Sequence, residues 1–118
     1  MRIRPEVYRA LAAIPRAEFR RSLVQFLREN FDDAKAMPAP ELEGSVDLCL
    51  AKSERYGLET GQDAATFTVT AYLLGLDFDR DFPAATDVLL SPVLASPDKA
   101  EWLREWTEEL FRTLEART

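Results

Sequence analysis

Apolar residues recur three and four positions apart along almost the whole chain, and alternation over a strand's length is nearly absent. The pattern predicts an all-α fold. A first helix starts near Pro5, a residue suited to a first helical turn, with Val7, Leu11 and Ile14 on one face. Pro15 breaks it. A second helix covers residues 16–31, with Phe19, Leu23, Phe26, Leu27 and Phe31 on one side. Residues 32–40 read as a linker, because Pro38 and Pro40 bar helix there. A third helix covers residues 41–56. Leu42, Val46, Cys49, Leu50, Ser53 and Tyr56 form its stripe, and Glu43, Asp47 and Glu54 line a flank. Gly57 is placed as its left-handed stop.

Thr60 reads as the cap of a fourth helix, with Asp63 three residues on as an acidic variant of the capping box. Residues 66–72 have the β-branched composition of a strand, yet Phe67, Ala71 and Leu74 fall on one side of a helix, Val69 and Leu73 on the other. A helix that is apolar all round is a buried one, so residues 61–75 are predicted to be the central element, ended by Gly75. An acidic, aromatic loop follows to Phe82. Pro83 then opens a short helix that reaches Leu90, and Pro92 interrupts the path. Ser96 and Pro97 are cap and first-turn residues of a last helix that extends to about Ala116. There Trp102, Leu103, Trp106, Leu110, Phe111 and Leu114 share one arc, and Glu101, Arg104, Glu105, Glu108, Arg112 and Glu115 the other. The prediction is a single domain over residues 1–118, with five or six helices around the fourth.

Composition narrows what such a domain does. At 118 residues with 47% apolar content, the chain can bury a real core. Its net charge of −6 speaks against binding to nucleic acid or to an acidic membrane surface. The absence of histidine removes the commonest acid–base group and zinc ligand, and the single cysteine, Cys49, rules out an internal disulfide or a cysteine metal cluster. No cofactor or metal is expected. The longest charge-free run, residues 64–76, is too short to span a bilayer, which takes about 20 apolar residues. Arg2, Arg4 and Arg9 precede Pro15 with no apolar stretch of export-signal length, so the chain is expected in the cytosol with Cys49 reduced.

Candidate chemistry concentrates in Asp77, Phe78, Asp79, Arg80 and Asp81, which together with Arg16 and Arg20 are the candidate partner-binding residues. Three alternate aspartates open like an EF-hand loop, but that loop needs glycine at its sixth place and glutamate at its twelfth, where Phe82 and Val88 stand. The simpler reading has the aspartates capping the Pro83 helix, with Phe78 and Phe82 as anchors to the core. A second oddity is Arg20, which the helical wheel places between Leu27 and Phe31 inside the apolar arc, with Arg16 close by. A buried arginine needs a carboxylate, so Arg20 is expected either to pair internally, with the 77–81 loop or Glu54, or to dock an acidic partner. Charge is also segregated. Residues 1–31 hold seven arginines against three acids, whereas the rest holds eight basic residues against eighteen acids. The serines lack a histidine to activate them, and Cys49 on an apolar stripe reads as a buried structural thiol. No catalytic residue is assigned.

The segment Tyr56-Gly57-Leu58, then Asp63, Gly75-Leu76-Asp77-Phe78-Asp79, Pro83, Leu89-Leu90, Ser96-Pro97-Asp98-Lys99 and Leu103 resembles small helical proteins encoded beside bacterial type VI secretion genes. It is similar also to the tail segment of adaptors that load effectors onto the secretion spike. The resemblance spans roughly residues 41–110 and rests on turns and caps. It implies an accessory protein without catalytic residues: an effector-binding adaptor, chaperone or cytosolic immunity protein. An acidic body suits the immunity reading, because toxin targets are often basic. Two other classes stay open, a structural homo-oligomer joined through the last helix and a helical small-ligand binder. An exposed Trp102 would favour the oligomer.

Overall fold

In a computed structural model, the backbone is described for residues 16–117 and side chains for residues 18–115. The helix expected over residues 5–14 lies outside this range. The described chain forms seven helices and no strand: α1 Arg16–Asn30, α2 Asp32–Ala36, α3 Ala39–Arg55, α4 Gly61–Leu74, α5 Phe78–Asp81, α6 Pro83–Leu89 and α7 Ser96–Arg117. No helix among the described residues is long and apolar enough to cross a membrane. The radius of gyration is 13.7 Å.

Helix α4 is the central element, as its apolar girth requires. It touches α1, α3, α5 and α7, and every residue from Asp63 to Ala71 is buried. Its two sides serve two cores. Ala65 and Val69 join Phe19, Leu23, Leu27, Phe31, Leu42 and Val46 on the α1 and α3 side. Phe67 and Ala71 join Cys49, Leu58, Phe78, Leu89 and Leu103 on the other. The threonines that gave residues 66–72 their strand-like composition bond backwards within the helix. The Thr66, Thr68 and Thr70 hydroxyls donate to the carbonyls of Gln62, Ala64 and Thr66, so three polar groups are buried with their bonds made. The Thr60 hydroxyl caps α4 by accepting the Asp63 N–H at 3.1 Å, and Gly75 (φ 115°) ends it.

The end of α3 is a Schellman turn. The Gly57 N–H reaches the Glu54 carbonyl at 3.1 Å and the Leu58 N–H reaches the Ser53 carbonyl at 2.9 Å. Gly57 sits at φ 79°, the left-handed region its lack of Cβ permits.

Three expectations are corrected. Residues 32–40 are not a linker: α2 fills Asp32–Ala36 and α3 already starts at Ala39. Proline fits there because the first-turn N–H groups have no intrahelical partner to lose, and buried Phe31 and Ala34 hold α2 to the core. The segment after Gly75 is not all loop, since Phe78–Asp81 closes one helical turn. Nor do its aspartates cap the helix at Pro83. Phe82 holds the cap position without a side-chain bond, and the Thr86 hydroxyl donates back to the Asp79 and Phe82 carbonyls.

Candidate functional site

The residues singled out in the sequence separate into two places. Arg20 lies on α1 and pairs with Asp47 on α3, the acid-bearing flank, rather than with the 77–81 segment or Glu54. Its Nε and Nη2 donate to both carboxylate oxygens, the second at 2.9 Å. The pair is internal, but it is not buried: the two side chains are 39% and 53% exposed. A helical wheel assigns Arg20 to the apolar arc by angle alone, whereas in the fold its side chain is only part-buried and reaches Asp47 at the surface. The hydrogen bond to Arg20 holds the Asp47 carboxyl below its ordinary value, with the guanidinium charge acting the same way. Arg16 opens α1, and its side chain lies outside the described residues.

The 77–81 segment turns half of itself inward. Phe78 is fully buried against Phe67, ring centroids 5.0 Å apart, so the anchor role expected of it holds. Asp79 is equally buried and receives two donors, the Lys52 ammonium at 3.1 Å and the Tyr56 hydroxyl at 2.6 Å. Neither residue offers surface to a partner in this fold. Lys52, itself buried, also reaches the Leu76 carbonyl at 3.0 Å and Asp77 at 3.3 Å. Asp77, Arg80 and Asp81 stay at the surface, with Arg80 bonded to Asp77 at 2.9 Å.

A second buried lysine was not anticipated. Lys99 on the first turn of α7 donates to the carbonyls of Tyr56 and Leu89, both at 2.8 Å. Those carbonyls end α3 and α6, so one ammonium meets the negative ends of two helices. Beside it the Ser96 hydroxyl donates to buried Asp63 and accepts the Glu59 N–H at 2.9 Å.

These polar groups are consumed by the fold. No buried side-chain nitrogen or oxygen among the described residues lacks a hydrogen-bond partner. Burial pushes the Cys49 thiol up to about 12, against the opposing pull of Lys52. Burial and then the bond to Asp79 push the Tyr56 hydroxyl up to about 12. Both groups are therefore protonated at neutral pH and poor nucleophiles. Among the described residues, no three histidine, cysteine or acidic side chains are grouped to hold a metal.

What the fold leaves unspent is apolar. Between α6 and α7, Leu90 is 65% exposed, Val93 87% and Leu94 37%. Leu48 and Leu114 are exposed too, but each stands alone in sequence on its own helix, as many surface leucines do. The turn is held rather than loose. The Ser91 hydroxyl accepts the N–H groups of Val93 and Leu94, both at 3.3 Å. The Leu90 N–H bonds the Thr86 carbonyl at 3.0 Å, Lys99 fixes Leu89, and Asp63 fixes Ser96. The available sequence signal for this surface was the run Leu90-Ser91-Pro92-Val93-Leu94, aliphatic residues placed where a turn is normally polar. Trp102 is half-buried and stacks on Trp106, centroids 5.1 Å apart, and Phe82 meets Trp106 edge-on at 5.2 Å.

Compared with protein-family models, curated proteins and solved structures, the chain finds no match.

Proposed function

We propose that this chain works by protein–protein contact, as a non-enzymatic interaction module whose contact surface is the turn of Leu90, Val93 and Leu94. The observation that carries this is the exposure of three neighbouring aliphatic side chains on a turn clamped at both ends. Exposed apolar area costs free energy in water, roughly 25 cal/mol per Å², and a rigid display of it lowers the ordering cost of association. The buried lysines, aspartates and thiol support the same reading, since their bonds are committed to the fold. Within this reading, the resemblance to type VI accessory proteins adds an adaptor or immunity role toward a secreted effector, and the acidic balance suits a basic target.

Affinity purification from the native cell tests it, with the chain compared against Val93→Ser combined with Leu94→Ser. A defined protein retained by the first and lost from the second, with melting unchanged, is the expected result. Identical retained proteins would remove the turn from the proposal.

A further inference from the structure

The surroundings of the 90–94 turn say what kind of surface would cover it. Asp87 lies one helical turn before Leu90 on α6, and it is exposed. Asp98, also exposed, sits in the first turn of α7, just past the turn's far end. Exposed Glu59 is brought alongside by the bond from its N–H to the Ser96 hydroxyl. Across residues 86–99 the one basic residue is Lys99, and its ammonium points inward to the Tyr56 and Leu89 carbonyls. The aliphatic turn is thus flanked along the chain by exposed Asp87 and Asp98, with exposed Glu59 tied to Ser96 through its backbone, and residues 86–98 hold no basic residue to balance them.

Resting on the interaction reading above, we infer that this turn is the docking surface for a basic amphipathic helix of another protein. The apolar stripe of such a helix covers Leu90, Val93 and Leu94, and its flanking lysines or arginines meet Asp87, Asp98 and Glu59. A second copy of this chain is the wrong occupant for a physical reason. A second copy presents the same acidic surroundings to the contact, so the two approaching surfaces carry like charge, which opposes association. A peptide that docks by adding a strand has no edge to pair with among the described residues.

The probes are a helical peptide of leucine and lysine in amphipathic pattern and its leucine–glutamate counterpart, titrated against the full chain. Sedimentation of the free chain runs alongside. The inference expects a monomer that binds the lysine peptide about tenfold or more tightly than the glutamate peptide. Binding should weaken several-fold between about 50 and 300 mM salt, as screening shortens the reach of surface charge. It should drop in Val93→Ser with Leu94→Ser, and separately in Asp87→Asn with Asp98→Asn, each with melting unchanged. Binding of the lysine peptide that survives Val93→Ser with Leu94→Ser would reduce the effect to general surface charge and overturn the inference. A dimer that the same substitutions dissociate would assign the turn to a second copy, overturning the inference while leaving the interaction reading intact. Failure of both peptides to bind a monomer would also overturn it, and the native-cell purification then judges the broader reading on its own.

Discussion

The Lys52 ammonium reaches from α3 to within 3.1 Å of the Asp79 carboxylate on α5, and both groups are buried. With Tyr56 on the second carboxylate oxygen, this bond fixes the α4–α5 connection to the end of α3. Removing one member strands the other charge away from water. Lys52→Met is therefore expected to cost about 3–5 kcal/mol, whereas Lys52→Met combined with Asp79→Leu costs less than the sum of the single changes. Urea titration of the single and double variants measures this. Strict additivity would mean that the two charges do not depend on each other.

Phe67 sits at the meeting of α3, α4 and α5, its ring 5.9 Å from Tyr56 and 5.0 Å from Phe78. No part of it reaches solvent. Phe67→Ala should cost about 3–5 kcal/mol, the loss typical of a buried phenylalanine. A denaturant midpoint close to that of the unsubstituted chain would show that α4 is not the centre of the core.

The exposed Arg20–Asp47 pair leads to the opposite expectation. Surface pairs are screened by water and salt, so Arg20→Met should leave the urea midpoint at neutral pH nearly unchanged. The sign of its pH dependence is fixed by Asp47, whose carboxyl is held below its ordinary value of 3.8. A depressed carboxyl stabilises the fold above its unfolded value, and that stabilisation is lost as pH falls through the lower folded value. The small difference between Arg20→Met and the unsubstituted chain should therefore begin to shrink below about pH 3.8 and vanish once Asp47 is protonated in the folded chain as well. A difference that widens with acid would contradict the assignment of Asp47 as the partner.

The helix plan was legible in the sequence where a backbone need selects a residue type. Thr60 at a cap, Gly57 and Gly75 at stops and the all-round apolar run through Phe67 each carry local information, and each does what its residue type suggests. Pro38 and Pro40 misled, because proline excludes a helix interior but not a first turn, and the difference depends on where the helix begins. The buried lysines were invisible for another reason. Lys52 and Lys99 read as solvated charges until the folded chain brings the carbonyls of Leu76, Tyr56 and Leu89 to them. Asp79 looked like a cap for the same reason, since its true donors lie 27 and 23 positions earlier. The exposure of Val93 could not be read from spacing at all. It follows from the turn between α6 and α7, which Ser91 and Lys99 fasten from the polar side while Val93 is left outside both cores.

The claim that the turn of Leu90, Val93 and Leu94 meets another protein is tested most directly by photocrosslinking in the native cell. A benzophenone side chain at position 93 is compared with the same group at position 25, where exposed Gln25 stands on α1. The account predicts a discrete adduct of higher mass from position 93 and none from position 25. Equal labelling from both positions, or no adduct from position 93, would contradict it.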